Sequence, residues 1–173
     1  MTPEDLIPSW LPPLMPFEAY GGNWANYLEA MYAVFHQDFC GELPPFQGRR
    51  LALKRFPLDQ GKEATFWHFI QEGKLEVERT PDLRRCERIR WPRPVIEAHV
   101  VAGRIRLWCE RRSVKGKGQE SRWQLALPDF SYLVVLADRG NFLLPWTAYF
   151  LERPHERRKL EQRWKACQGP GGS

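Results

Sequence analysis

Long apolar runs are absent from this sequence of 173 residues, and none approaches the roughly 18 consecutive apolar residues that a membrane-spanning helix needs. The N-terminal region is rich in proline and acidic residues, whereas a secretory signal peptide would be basic and then apolar. No internal repeat is visible. From these absences we expect a cytoplasmic protein with no membrane partner.

Metal-binding patterns are also absent. The sequence contains four cysteines, Cys40, Cys86, Cys109 and Cys167. None lies in a CxxC or CxxH spacing, which argues against a zinc site and favours reduced intracellular thiols over a disulfide framework. The acidic residues are scattered without a spacing that would assemble a magnesium site, which disfavours a metal-dependent nuclease. Gly116 and Gly118 give no nucleotide-binding fingerprint, because they open no helix after a strand.

Positive charge and aromatic residues are plentiful. The chain has 26 lysines and arginines against 21 acidic residues, a net charge of +5 and a pI near 9.2. This modest excess fits a polyanionic partner, although local clustering matters more than the total. A hydrophobic content of 43% and eight tryptophans exclude a disordered chain. We expect a proline-rich arm over 1–22, one folded domain over 23–167, and a disordered tail over 168–173.

The first half of the domain predicts helices. Over 23–39, aromatic and aliphatic residues recur at spacings of three and four, which predicts an amphipathic helix ending near Gly41. Shorter elements follow: a strand or extended segment over 49–56, a helix over 62–71, one or two helical turns over 82–89, a bend at 91–94, and a helix over 95–99.

The second half changes to the period of two residues that is typical of strands. The predicted elements are strands over 104–111, 122–127, 132–137 and 142–150, a hairpin loop over 113–118, a turn over 138–141, and a closing helix over 154–166. The order is therefore N-terminal helices, a four-stranded antiparallel meander and a C-terminal helix. This order predicts an α+β fold.

The segment from Thr65 to Glu97 concentrates arginine, tryptophan and a histidine. Six arginines lie between Arg79 and Arg93, against only two acidic residues. A plain core helix is not built this way, because each guanidinium must stay solvated or paired while its stem lies on apolar surface. The segment therefore predicts a half-buried face that carries fixed positive charge.

Five blocks of sequence resemble a family of small phage- and plasmid-borne proteins. The blocks are Phe66–His68, Pro81–Trp91, Tyr132–Leu136, Thr147–Tyr149 and Pro154–Leu160. They look like the nuclease-like proteins grouped with the barnase, EndoU, colicin and RelE fold, abbreviated BECR. The resemblance spans about Asp38 to Lys165 and implies a RelE/barnase-like arrangement of the α+β elements.

The resemblance implies metal-independent RNA cleavage without a cofactor. In that superfamily the ribose 2′-hydroxyl attacks the adjacent phosphate and leaves a 2′,3′-cyclic end. It further implies an endoribonuclease toxin that acts on tRNA, ribosome-associated mRNA or another cellular RNA, in defence or mobile-element maintenance. An antitoxin or immunity protein that plugs the basic groove is then implied as a second partner.

Such a reaction needs a base near the 2′-oxygen, an acid near the leaving 5′-oxygen, and cations at the phosphate. His68 is the first candidate for acid or base, because imidazole titrates near physiological pH, and His155 is the second. Arg85 and Arg88 are three residues apart, hence on one face of a helix, and a guanidinium can grip two phosphate oxygens. Glu87 could orient an arginine or act as the base.

Thr147 and Tyr149 point to the same side of the last strand, so their hydroxyls could face the groove, where a tyrosine can stack on a base or bind the scissile phosphate. Further candidates for RNA binding are Trp91, Arg93, Arg111, Arg112, Lys115 and Lys117. The last four lie in or beside the predicted hairpin loop and suit contacts to the RNA backbone, which add salt-dependent affinity without sequence specificity.

Each candidate also has a structural interpretation. His68 would then be a histidine on an aromatic helix face, bonded to a backbone carbonyl, and the arginines would pair with Asp82 and Glu87 as a network. The corresponding alternative function is a non-catalytic module that holds nucleic acid or an acidic protein on the same basic surface. No histidine is evidently paired with His68, and the sequence leaves the oligomeric state open.

Overall fold

The computed structural model describes residues 7–73 and 78–168. Within these ranges the α-helices are α1 (Trp24–Phe39), α2 (Ala64–Ile70), α3 (Leu83–Glu87), α4 (Pro92–Glu97) and α5 (Pro154–Cys167). The strands are β1 (Gln71–Glu72), β2 (Thr80–Pro81), β3 (Arg106–Val114), β4 (Gly118–Ala126), β5 (Tyr132–Asp138) and β6 (Leu143–Phe150). Phe17–Tyr20 and Ala98–Val100 form short 3₁₀ helices.

Strands β3 to β6 form an antiparallel sheet in the order β3-β4-β5-β6, so each strand pairs with the next along the chain. The predicted α+β class, the four-stranded meander and the C-terminal helix are confirmed. The segment predicted as a strand or extended over 49–56 is extended. It runs beside the start of the edge strand β6, where Leu143 N donates to Arg50 O at 2.9 Å and Ala52 N donates to Leu143 O at 2.9 Å.

The predicted hairpin loop over 113–118 is too long. Strand β3 continues to Val114 and β4 begins at Gly118, so three residues form the turn and Lys117 N donates to Val114 O at 3.0 Å. The first residues of β4 are polar, so their sequence predicts a loop. Polar residues are tolerated in this strand because one side of the hairpin lacks an apolar cover. Arg111 and Arg112 therefore lie within a paired strand and not in a mobile loop.

The predicted bend at 91–94 is also wrong, because α4 begins inside it at Pro92. A proline is tolerated in the first turn of a helix, where its missing N–H would have no intrahelical acceptor. Val95 N donates to Trp91 O at 3.1 Å and so continues the helix past the second proline of this segment, Pro94.

The sheet is covered differently on its two faces. On one face, here called the helical face, Phe35 of α1 and Ile96 of α4 belong to the same buried cluster as Leu125 of β4. On the other, the α5 face, a smaller cluster joins Leu133 of β5 to Leu160 of α5. Each such side chain contributes about 1.5–3 kcal/mol by leaving water. Parts of the α5 face near the start of β4 stay partly exposed.

The N-terminal arm packs on the domain by hydrogen bonds as well as by apolar contact. Tyr27 Oη donates to Met15 O at 2.6 Å, and Met15 N donates to Glu87 O at 2.8 Å. Trp91 Nε1 donates to Pro12 O at 2.9 Å. The arm thereby covers part of the helical face. Residues 1–6 of the arm and 169–173 of the predicted tail lie outside the described residues, as do residues 74–77.

None of the helices within the described ranges has the length and apolar content needed to cross a bilayer.

One ion pair joins the extended segment to the turn between β5 and β6. Arg49 Nη1 and Nη2 each donate to one carboxylate oxygen of Asp138 at 2.7 Å, and Arg49 Nη2 also donates to Gly140 O at 2.6 Å. The Arg49 hydrogen bonds, helped by the Gly140 N–H, lower the pKa of Asp138 to about 2. Because this pKa is depressed, the stabilisation is complete above the unfolded-state pKa and is lost as the pH falls toward 2.

We therefore predict that Asp138→Asn lowers the free energy of unfolding at neutral pH by about 1–2 kcal/mol, a figure reduced for the partial exposure of the pair. The variant should also lose less stability than the wild type between neutral pH and pH 2. Urea unfolding at a series of pH values measures both effects. Glu42→Gln, at an exposed carboxyl group, is the matched control and should follow the wild type. Equal acid sensitivity of Asp138→Asn and wild type would contradict the prediction.

Candidate functional site

A bulge in the edge strand β6 shapes the candidate site. Val135 pairs with Thr147, whereas the next residue, Leu136, pairs with Pro145, so Trp146 is the extra residue of β6. Proline cannot donate a hydrogen bond to a ladder, and bulges commonly re-aim a side chain beside functional sites. Trp146 is half-buried and belongs to the α5-face cluster.

Four side chains from distant parts of the chain surround the indole of Trp146. The His68 ring meets it edge-on, with centroids 5.2 Å apart and an interplanar angle of 78°. Lys54 Nζ lies 5.7 Å from the indole centroid, and the guanidinium carbons of Arg122 and Arg139 lie at 5.0 Å and 5.9 Å. We call these five residues the Trp146 cluster.

The Trp146 cluster carries more positive than negative charge. Glu120 is the carboxylate that binds both arginines: its oxygens lie 3.4 Å from Arg122 Nη2 and 3.1 Å from Arg139 Nε. The pKa of Arg122 is lowered overall, chiefly by burial and further by the nearby cations Arg112 and Arg139. Glu120 opposes this shift. The buried Nε of Arg122 has no hydrogen-bond acceptor among the described residues. An anion bound here would therefore gain both charge pairing and a donor.

A shallow cavity connects this cluster to the basic hairpin. It has a volume of about 370 Å³, and its lining includes Glu120 and Arg139 together with Lys117 of the turn. Arg111, Arg112 and Lys115 are exposed on the same hairpin. The hairpin residues predicted to bind RNA therefore lie at the surface, and Lys117 adjoins the cluster.

His68 lies in α2 and is only 5% exposed. Its ring packs against Trp146, and its backbone carbonyl accepts a hydrogen bond of 3.4 Å from Arg85 Nη1. The Trp146 side chain therefore covers part of the His68 imidazole. His155, the second catalytic candidate, is exposed in the first turn of α5.

Arg85, in α3, connects this helix and α2 to the sheet by hydrogen bonds. Its Nη1 donates to Gln71 O at 2.7 Å and to Thr147 Oγ1 at 3.2 Å, in addition to the His68 carbonyl. Its guanidinium lies 5.2 Å from the ring centroid of Tyr149. Asp82 lies 3.5 Å from Arg85 Nε, and burial lowers the pKa of Arg85 in spite of this carboxylate. Thr147 and Tyr149 thus both contact Arg85 on the same side of β6.

Arg88 and Glu87 take part in a different set of contacts. The Arg88 guanidinium lies 3.8 Å from the ring centroid of Phe150, and Arg88 is only 6% exposed. By the alternation of β6, Phe150 points to the face opposite Thr147 and Tyr149. Arg88 and Arg85 therefore contact opposite faces of β6 instead of gripping one phosphate together. Glu87 lies 3.6 Å from both Arg84 and Arg88.

Trp91 and Arg93 also have structural environments. Trp91 is 2% exposed and stacks edge-on with Tyr132 in the core, so its ring is not presented to a base. Arg93 Nη1 donates to Asp38 O at 2.6 Å and Glu42 O at 2.8 Å, which satisfies carbonyls at the end of α1. Both residues were predicted to bind RNA, but the Trp91 ring is buried and the Arg93 guanidinium is occupied by backbone carbonyls.

A second cleft, of about 330 Å³, lies between β1, α3, the end of β6 and α5. Its lining includes Arg85 and Tyr149, together with Glu156, Lys159 and Arg163 of α5. Arg163 also pairs with Glu110. Acidic and basic groups are balanced in this cleft, in contrast to the Trp146 cluster.

Among the described residues, no three His, Cys, Asp or Glu side chains are grouped so that they could hold a metal ion. Comparison with known proteins adds no assignment: no family model, no curated protein and no solved structure matches this chain.

Sequence reasoning missed most of the Trp146 cluster. Lys54, Arg122, Arg139 and Trp146 were not identified, because no local pattern joins residues that belong to four separate elements. One usable signal was present. Pro145 inside a predicted strand indicates an edge strand or a bulge, and the residue beside it was therefore a candidate for an unusual orientation.

We predict that Arg85→Ala lowers the free energy of unfolding by about 2–4 kcal/mol, because buried carbonyls and the Thr147 hydroxyl lose a charged donor. Arg84→Ala is the matched control: its side chain is 54% exposed, and its loss should cost at most about 0.5 kcal/mol. Urea denaturation of both variants measures the difference. Similar losses in the two variants would refute the bridging role of Arg85.

Proposed function

We propose that this protein is a metal-independent endoribonuclease whose active site is the Trp146 cluster. The observation that carries the proposal is the convergence of Lys54, Arg122 and Arg139 on one half-buried indole that makes a T-shaped contact with the His68 imidazole. An aromatic platform with cations is the combination that binds single-stranded nucleic acid. A titratable imidazole beside it adds a group that can transfer protons.

In the proposed reaction the ribose 2′-oxygen forms a bond to the adjacent phosphorus and the bond from phosphorus to the 5′-oxygen breaks. His68 accepts the 2′-hydroxyl proton, and a solvent water donates a proton to the departing 5′-oxygen. The hydroxide that forms takes the proton from His68, which restores the neutral imidazole. The products are a 2′,3′-cyclic phosphate and a 5′-hydroxyl. Arg122 and Arg139 stabilise the extra negative charge on the phosphorus-bound oxygens, which is a major source of rate enhancement in such reactions.

As a biological setting we propose a toxin of BECR type, acting on cellular RNA in defence or mobile-element maintenance. A free ribonuclease would require an inhibitor, and an acidic antitoxin or immunity protein would complement the excess of cations. Support for this part comes from the sequence blocks that resemble the family and from the α+β fold with its antiparallel sheet. A fold alone does not determine function, so the site must be tested directly.

A second candidate function is a non-catalytic nucleic-acid-binding module. The burial of His68, at 5% exposed, favours it, because a proton-transfer group must reach the 2′-hydroxyl. Binding would need the cations and the indole but no titratable group.

We predict that the purified protein, in excess chelator, cleaves an oligodeoxynucleotide that contains a single ribonucleotide, and that it does so at that nucleotide. His68→Ala should lower the rate by about 10²- to 10⁴-fold, the usual contribution of a general base. Gel mapping of the ends should find a 2′,3′-cyclic phosphate. His36→Ala, at an exposed histidine of α1, is the matched control and should cleave like the wild type.

His68→Gln and thermal melts of each variant separate lost chemistry from lost folding. An all-DNA strand should remain intact because it has no 2′-hydroxyl. Full activity of a folded His68→Ala variant would exclude His68 as the base. An RNA that is bound but left intact by the wild type would favour the binding module.

We further predict that affinity for single-stranded RNA falls with salt with a slope of log K against log [salt] near −2, as expected for about three phosphate contacts. Arg122→Gln should reduce the slope by about 0.7, the contribution of one contact. Fluorescence anisotropy over a salt series measures the slope. Arg158→Gln, at an exposed arginine of α5, is the control and should preserve it. An unchanged slope in Arg122→Gln would remove Arg122 from the RNA contact.

A further inference from the structure

The loop that precedes α2 exposes two large apolar side chains. Phe56 is 69% exposed and Leu58 is 51% exposed. Among the described residues few large apolar side chains are as exposed, and the others, such as Val100 and Leu83, lie in other parts of the chain. An exposed aromatic ring costs solvation free energy unless a partner covers it.

The backbone of this loop is held in place by α2. Lys54 N donates to Thr65 Oγ1 at 3.0 Å, Thr65 N donates to Lys54 O at 2.9 Å, and Ala64 N donates to Arg55 O at 3.1 Å. On the other side of the loop, Trp67 Nε1 donates to Asp59 O at 3.1 Å. Phe56 is therefore presented to solvent on a fixed backbone, which reduces the entropy that a partner loses on binding.

The loop continues directly from the Trp146 cluster. Lys54 reaches the Trp146 indole, Arg55 is exposed, and Phe56 follows it. Two residues of extended chain span at most about 7 Å, so the Phe56 backbone lies within about 7 Å of the Lys54 backbone. Cations that alternate with aromatic rings along a surface suit single-stranded nucleic acid, since phosphates and bases alternate in the same way.

We propose that the Arg55–Leu58 loop is a second nucleobase-binding site, at which Phe56 stacks on a base of an RNA strand outside the Trp146 cluster. This inference rests on the proposed RNA-binding function and deepens it. Lys54 and Arg55, which precede Phe56 in the chain, bind phosphates between the Trp146 indole and the stacked base. The loop has no carboxylate before Asp59, so its charge favours a polyanion over a basic partner.

The test uses 2′-O-methyl oligonucleotides, which lack the nucleophilic hydroxyl and so measure binding alone. Anisotropy is compared for strands of two nucleotides, which are too short to cover both the Trp146 cluster and the loop, and of about twelve, which reach the loop. Phe56→Ala should weaken binding of the long strand by about fivefold to thirtyfold, the range for a lost stacking contact at an exposed site, and leave the short strand unchanged. Phe56→Trp should retain or increase the affinity.

Phe56→Leu distinguishes stacking from general apolar contact, since leucine is apolar but has no aromatic face. It should behave like Phe56→Ala. Val100→Ala, at a residue 76% exposed in the 3₁₀ helix Ala98–Val100, is the control and should bind both strands like the wild type. Because both positions are exposed, thermal melts should show that all of these variants fold.

Three results would overturn the inference. If Phe56→Ala binds the long strand normally while Arg122→Gln weakens both strands, RNA binds at the Trp146 cluster alone and the proposed function stands. If neither strand binds the wild type, the proposed function fails as well. If Phe56→Ala leaves RNA binding intact but abolishes binding of poly-L-glutamate, the loop is a docking site for an acidic protein.

Discussion

The hydrogen bonds of one largely buried guanidinium, that of Arg85, join the parts of this protein that form the candidate site. A single nitrogen, Nη1, binds the carbonyls of His68 and Gln71 at the end of α2 and the hydroxyl of Thr147 in β6. Helix α2 has only seven residues and would not be stable alone. Its position, and with it the position of His68, depends on packing against β6 and on this donor.

The second determinant is the bulge at Trp146. In a regular strand the side chain after Pro145 would alternate with its neighbours, and the extra residue instead leaves the indole beside Thr147 on the side where Arg122 lies. Three cations lie within 6 Å of one ring; Glu120 pairs with two of them, and cation–π contacts contribute about 0.5–2 kcal/mol each.

The sequence predicted the order of helices and strands better than it predicted the residues of the candidate site. The meander could be predicted from two signals, the apolar run Tyr132–Ala137 and the period of two residues in the segments around it. A central strand is buried on both faces and therefore shows a continuous apolar run. Alternation also predicted that Thr147 and Tyr149 share a side, since the bulge precedes them. Local patterns could not show that Lys54 and Arg139 converge on Trp146, because those contacts depend on how separate elements pack.

The arginine-rich segment shows why local charge is a poor guide to a binding surface. Arg93 and Arg85 donate mainly to backbone carbonyls, and Arg88 lies against Phe150, so much of the charge that is dense in the sequence is used to join helices to the sheet. Arginine suits this task because its fork of donors can satisfy several carbonyls at once while its stem packs on apolar surface. The cations around Trp146 come instead from separate parts of the sequence. Arg122 and Arg139 are held together by one glutamate, and the charge they present exceeds what that glutamate can neutralise.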